Sequence, residues 1–361
     1  MYNEGDNSMN IFRRITHMLV ATLFIASPTP VFAQPLGLGA TAVPGPLADL
    51  QRRLALETLH SSWSIGIDVE DLATGFESGV NVNESMPAAS TIKIPVMVEV
   101  FRQMELGLVS LHHDLHVQER DKDYGSGDLC YAAVNTPISI ERLLWAMITD
   151  SDNTATNMLI RMVGRSHING TMHRLGLRHT QVKDYIRTAS GGIRYALRTS
   201  PHDMIRLLDA MAHHSLIDQW ASGEMLAILT GQHHNGLLPQ SLPIGTQVAH
   251  KTGTLRDTLN DVGIVYLADE PYAIAVMTTN LPDLESGRTF IRQVSRLAYD
   301  SFKRFGQWRI SNRLPAFAID GATTAAAAAQ SLTPDVAMWS GHPGNAAAPD
   351  VGVWKNRNLV P

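Results

Sequence analysis

The chain has 361 residues, 44% hydrophobic and 17% charged, with a formal net charge of −5. That balance suits one large or two small globular domains with an ample core, and it excludes global disorder. The mild charge and the lack of a long basic run argue against nucleic acid as a partner, and a single cysteine, Cys130, excludes an internal disulfide.

From about Met9, basic Arg13-Arg14 precede apolar Met18 to Ile25 and then Val31-Phe32-Ala33. This is the pattern of a secretory signal peptide over residues 1–33, cleaved before Gln34. The apolar run is short for a membrane span. The expectation is therefore a periplasmic or secreted protein with no stable membrane span after cleavage. An uncleaved signal anchor stays open, because Pro28 and Pro30 make the cleavage region unusual.

A Pro- and Gly-rich leader fills residues 34–46. Leu47, Leu50 and Leu54 then recur at helical spacing, continuing through Leu56 and Leu59. Trp63 to Val69 alternates as a half-buried strand, and after the turn signal Thr74-Gly75 the stretch Phe76 to Val82 returns as its hairpin partner. From about 106 to 215 the pattern is mostly helical, clearest at Ile138 to Met147, Thr154 to Met162 and Pro201 to Met211. Three short strands follow, at Val248 to Thr254, Val262 to Leu267 and Tyr272 to Thr279, and an amphipathic helix closes from Gly287 to Phe305. Two strands before the helical block and three after it predict an α/β chain of the α+β type. Its five-stranded antiparallel sheet is flanked by helices and carries an inserted all-helical lobe. Residues 306–361, with the alanine run Ala325 to Ala329, read as a low-complexity, mobile tail beyond a domain spanning 47–305.

Three polar clusters interrupt this pattern. The first is Ser90-Thr-Ile-Lys93, where helical spacing puts a hydroxyl and an amine on one face at the start of an apolar helix. An amine held in an apolar wall loses its charge readily and can take the proton of a serine nucleophile. The tetrad alone is weak, since it turns up roughly once or twice by chance in a chain of this length. Its apolar neighbours Ile92, Ile94, Val96 and Met97 make a lysine there costly unless it has a role. The second cluster is Ser151-Asp152-Asn153, which reads either as a proton relay with an amide holder or as the N-cap of the helix that follows. The third, Lys251-Thr252-Gly253-Thr254, reads either as an edge strand protected by lysine or as a binding strand. In the second case Lys251 attracts an anionic carboxylate, the hydroxyls of Thr252 and Thr254 bind it, and the Thr254 N–H joins that of Ser90 around an oxyanion.

Together, Ser90-Thr-Ile-Lys93, Ser151-Asp-Asn153 and Lys251-Thr-Gly253 resemble, in order and spacing, the three motifs of class A serine β-lactamases and related penicillin-binding proteins. The resemblance covers roughly Leu47 to Phe305 and implies a two-lobed fold with the site in the cleft between the lobes. It implies a serine hydrolase in which Ser90 opens a β-lactam, Lys93 is the base, Ser151 passes the proton to the leaving nitrogen, and the ester is then hydrolysed. Asn153, Thr252, Gly253 and Thr254 would hold the substrate. No cofactor and no metal are implied, and a monomer is expected. A D,D-peptidase or penicillin-binding esterase acting on a peptidoglycan stem peptide is the alternative with the same acylation groups.

One departure bears on turnover. The family's Glu-x-x-Leu-Asn loop sequence, whose glutamate activates the deacylating water, does not stand before Thr199-Ser-Pro201. The corresponding stretch from Thr180 to Arg194 offers only Asp184 as a carboxylate, which reads either as a replacement base or as a solvated loop acid. The histidine pairs His112-His113, His213-His214 and His233-His234 fit no zinc spacing and read as solvated surface groups, while Cys130 reads as a small core residue.

Overall fold

A computed structural model describes residues 45–312, apart from residues 191 and 269. The signal peptide, almost all of the leader and most of the expected tail lie outside the described residues. Helix α1 (Gly45–Thr58) is followed by strands β1 (Ser64–Asp71), β2 (Glu77–Val80) and β3 (Met86–Pro87), then α2 (Lys93–Glu105), β4 (Asp114–His116) and β5 (Pro137–Ser139). Helices α3 (Ile140–Thr149), α4 (Asn153–Val163) and α5 (Arg165–Arg174) lead to β6 (Gln181–Val182), α6 (Ile193–Ala196) and β7 (Leu197–Thr199). Helices α7 (Pro201–Ala212) and α8 (Gln219–Thr230) precede β8 (Val248–Leu255), β9 (Thr258–Val265), β10 (Tyr272–Thr279) and α9 (Leu284–Ser311).

The main sheet is five-stranded in the order β2-β1-β10-β9-β8, with every pairing antiparallel. It is thus the expected sheet, built from two early strands and three late ones. Its central strands β9 and β10 are buried at every position, because helices cover both faces. On one face Leu47, Leu50 and Leu54 of α1 meet Phe290, Ile291, Val294 and Phe302 of α9 and the sheet residues Ile67, Ile274 and Val276. On the other, Ala249, Val262, Ile264 and Met277 join the apolar faces of α2, α4, α7 and α8. Helix α2 runs through this second core with all residues from Lys93 to Phe101 buried, so nearly its whole circumference is apolar contact.

Most boundaries shift by one to three residues from the pattern reading, and two differ by more. Strand β9 begins at Thr258 rather than Val262, because Thr258, Asn260 and Asp261 pair with β8 and β10 although their side chains are polar. Helix α9 runs past Phe305 to Ser311. Trp308 stacks on Phe305 with ring centroids 5.6 Å apart, and Arg309 reaches buried Glu270 at 2.7 Å, so the extra turns have partners to pack on.

Candidate active site

The three polar clusters converge on one open cleft of about 440 Å³, lined among others by Ser90, Ser151, Asn153, Thr252 and Thr254. Ser90 lies in a 3-10 turn, Ala89–Ile92, that feeds directly into α2, so it stands just before the helix rather than in its first turn. The turn is held in place from the sheet. Asn260 Nδ2 on β9 donates to the carbonyls of Pro87 (2.9 Å) and Ala88 (3.1 Å), and Thr91 Oγ1 donates to the same Ala88 carbonyl at 2.7 Å. Ala89 takes a left-handed φ of 50°, which costs a non-glycine residue about 1–2 kcal/mol and re-aims the chain at Ser90.

Lys93 begins α2 and is fully buried. Its Nζ lies 3.0 Å from Ser90 Oγ and 3.0 Å from Ser151 Oγ, and it donates to the Ser151 carbonyl (2.6 Å) and Asn153 Oδ1 (2.8 Å). The last two are obligate acceptors, whereas both hydroxyls can donate. A neutral amine therefore spends its two N–H groups on the carbonyl and the amide, and its lone pair is left facing the serines. Burial first, and the nearby Lys251 second, push the Lys93 pKa well below its ordinary value, which favours the neutral form relative to a solvated lysine.

The N-cap reading of the second cluster holds on Asp152, while Ser151 and Asn153 line the cleft. Asp152 is the N-cap of α4, accepting from Ala155 N at 2.7 Å, and it also receives Leu129 N at 2.9 Å. Capping leaves Ser151 with φ 56° and turns its side chain and that of Asn153 to the cleft. The orientation of Asn153 is fixed by its other end, where Nδ2 donates to Asp123 Oδ1 at 2.8 Å. Asp123 also receives Thr188 through its N–H (2.8 Å) and hydroxyl (2.9 Å), and these bonds hold its pKa below the ordinary carboxylate value despite its burial.

Lys251 projects from β8, which is an edge strand of the sheet, but the side chain is buried rather than presented to solvent. Its Nζ lies 3.1 Å from Ser151 Oγ and 3.1 Å from the Thr252 carbonyl, and burial lowers its pKa to about 7. Gly253 has a steric reason. A Cβ there would sit 2.9 Å from the Ala88 carbonyl and 3.2 Å from Ser90 N, so only glycine lets β8 close on the backbone of Ser90. Thr254, next along, is exposed at the cleft mouth.

Asp184 is not brought into this group. Its side chain is 60% exposed, 3.7 Å from Arg165, and accepts from Tyr185 N at 2.8 Å. Its loop reaches the cleft through Ile186 and Thr188 instead, and among the described residues that line the cleft none is a carboxylate. Pattern reading passed over Asp123, Thr188 and Asn260, which position the motif residues, and Arg288 and Arg292 of α9, which add positive charge to the cleft wall. The pairing of Asp123 with Asn153 spans 30 residues and leaves no local signal. Arg288 and Arg292 do stand one helical turn apart on the predicted closing helix. Cys130 is buried, as read. Among the histidines, His250 is fully buried between Asp261 (2.8 Å) and Asn235 (3.0 Å), next to Lys251.

A cleft between a helical lobe and a five-stranded antiparallel sheet, with serine and lysine meeting a second serine and a second lysine, defines a serine-reactive hydrolase fold of the β-lactamase and transpeptidase type. The family model described as the beta-lactamase enzyme family matches residues 49–302, and the chain belongs to that family. The β-lactamase of Streptomyces lavendulae is 28% identical over 296 residues, covering 77% of this chain and 94% of that protein. The extended-spectrum β-lactamase PER-1 of Pseudomonas aeruginosa is 25% identical over 240 residues, 61% of this chain and 76% of that one. The solved structure of PBP-A superposes with a TM-score of 0.68 at 29% identity, covering 72% of this chain and 97% of PBP-A. A PBP-A variant has been solved as an acyl-enzyme with penicillin G. The resemblance to class A serine β-lactamases seen in the three motifs is therefore one of family, and the protein is a hydrolase of β-lactamase type. Among the described residues no helix is long and apolar enough to cross a membrane.

Proposed function

We propose that the protein hydrolyses β-lactam antibiotics through an acyl-enzyme on Ser90. The observation that carries this reading is the meeting of Lys93 Nζ with Ser90 Oγ and Ser151 Oγ, each at 3.0 Å. Neutral Lys93 takes the Ser90 proton as Oγ attacks the lactam carbonyl carbon. The backbone N–H groups of Ser90 and Thr254 receive the oxyanion. As the C–N bond breaks, the proton held on Lys93 passes through Ser151 Oγ to the lactam nitrogen, leaving the acyl ester on Ser90 and Lys93 neutral again. Lys251, Thr252 and Thr254 hold the substrate carboxylate, Asn153 its amide, and Gly253 lets the strand approach. Water then cleaves the ester. We further propose a monomer exported to the periplasm or beyond by the signal peptide at residues 1–33; α9 carries the expected tail's first residues, 306–311, into the folded domain, so only the residues after Asn312 are proposed as dispensable for chemistry.

The second reading is a D,D-peptidase or penicillin-binding esterase that acts on a peptidoglycan stem peptide and releases β-lactams slowly. The lack of a carboxylate among the described cleft-lining residues favours it. One experiment tests both. Intact-mass analysis after penicillin exposure should show one adduct on the wild type and none on Ser90→Ala, while a chromogenic cephalosporin reports turnover. An unchanged adduct on Ser90→Ala overturns the nucleophile. An adduct lasting hours, with steady cleavage of a D-Ala-D-Ala peptide, selects the second reading.

A further inference from the structure

Away from the cleft, three ligand-bearing side chains from three elements meet at the edge of the sheet. Asp68 lies on β1, Glu77 on the edge strand β2, and His202 in the first turn of α7. The β1–β2 register sets Glu70 opposite Glu77 and Asp68 opposite Gly79, so Asp68 and Glu77 are diagonal neighbours on one face of the sheet. His202 comes down on that face because its N–H donates to the Val82 carbonyl at 3.0 Å, which ties the start of α7 to the end of the hairpin.

The geometry points to a divalent-cation site of the zinc type formed by Asp68, Glu77 and His202. His202 Nδ1 lies 3.2 Å from Asp68 Oδ2 and 3.7 Å from Glu77 Oε1, and one ligand atom from each of the three residues falls within a 4.8 Å limit. Zinc bonds of about 2.0–2.1 Å at the tetrahedral angle place ligand atoms roughly 3.3 Å apart, so these donors already stand near the edges of such a polyhedron. Two carboxylates and a neutral imidazole also balance a doubly charged ion.

The observation that asks for a ligand is on Asp68. The side chain is fully buried and its Oδ2 faces His202, yet among the described residues Oδ1 has no hydrogen-bond partner, and a buried polar oxygen left unpaired is costly. A cation bound by this carboxylate would satisfy it. His202 and Glu77 are about one-third exposed (31% and 37%), which opens a path for entry and leaves the fourth position of a bound ion open to solvent. None of the three residues lines the cleft. The ion would act as a clamp that pins the first turn of α7 to the sheet's edge pair.

The test uses the full chain, freed of metal with EDTA and titrated with Zn²⁺ by calorimetry and with Co²⁺ by visible absorption. One equivalent of each should bind to a common site, with the intense d–d bands of a four- or five-coordinate Co²⁺ and a rise in Tm on adding Zn²⁺. His202→Gln and Glu77→Gln alter partly exposed groups and leave buried Asp68 intact. Each should remain folded by circular dichroism, acylate at Ser90 as before, and weaken Zn²⁺ at least about tenfold. His233→Gln, on an exposed histidine elsewhere, should change nothing. Failure of the folded wild type to bind Zn²⁺ and Co²⁺, or binding that survives both substitutions, overturns the proposal and leaves the trio as an imidazole bridging two carboxylates.

Discussion

Lys93 and Lys251, both fully buried, meet at one hydroxyl: their Nζ atoms lie 3.0 and 3.1 Å from Ser151 Oγ. Burial pushes both amines toward the neutral form, and the charge of Lys251 adds to that push on Lys93. In the proposed mechanism Lys93 is the base, and Lys251, held at about 7, carries charge toward an anionic substrate.

The acylation rate should therefore decline above neutral pH. Lys251 is charged below about 7 and neutral above it, so the field that attracts a substrate carboxylate fades as pH rises. A profile of kcat/KM against pH, which reports the free enzyme, should show an alkaline limb near this value. Lys251→Arg, whose charge persists, should move that limb upward. A limb left in place by Lys251→Arg would assign it to another group.

The same depressed pKa has a consequence for stability. In the unfolded chain Lys251 keeps its proton up to about 10.4, so between about 7 and that value the unfolded state binds more protons and stability should rise with pH from this group. Lys251→Met, which removes the buried amine, should raise the unfolding free energy at pH 6 by a few kcal/mol, with the gain shrinking toward pH 10. Urea melts at the two pH values measure it.

Gly253→Ala should slow acylation by on the order of 10²-fold, because its Cβ must push away the Ala88 carbonyl and the Ser90 backbone, and a displacement of about 1 Å at a reacting group costs that much. Stopped-flow acylation by a chromogenic cephalosporin reads the rate. Asn260→Ala should act on the same turn from the other side, leaving two buried carbonyls with one donor fewer, and should cost about 1–3 kcal/mol of stability.

Asp184→Asn should leave both adduct formation and adduct decay unchanged, since its carboxylate faces Arg165 and solvent. Asp123→Ala should slow acylation, because Asn153 and Thr188 lose the acceptor that orients them. Adduct formation and decay followed by mass spectrometry test both; slower decay in Asp184→Asn, or unchanged formation in Asp123→Ala, would reverse the assignment.

The motif residues were legible because their chemistry conflicts with their surroundings. A lysine among Ile92, Ile94 and Val96, or a glycine inside a strand, stands out locally, and the three clusters gain weight by occurring together in order. The sheet was legible for a similar reason, as β1, β8 and β10 alternate or run apolar. What stayed hidden is held by distance. Asn260 reads as an ordinary polar strand residue until Pro87 and Ala88 are beside it, 173 and 172 positions away in the chain. Asp68, Glu77 and His202 carry no shared spacing, since a hairpin register and a helix start bring them together. Asp184 was the only carboxylate in its stretch, and sequence cannot say that Arg165 turns it outward.

Helices α1 and α9 lie side by side on the sheet face away from the helical lobe, with Arg304 reaching Asp49 at 3.4 Å and Gln293 reaching Glu57 at 2.7 Å. The described chain thus enters and leaves at neighbouring points. At about 1.5 Å per residue, the exit at Ser311 is roughly 28 Å along α9 from Arg292 at the cleft wall. A fusion partner or a surface linker attached at either end would hang clear of the cleft mouth. A circular permutant that joins the two ends with a short Gly/Ser bridge and reopens the chain at the exposed turn around Gly107 and Leu108 would keep every cleft residue in place.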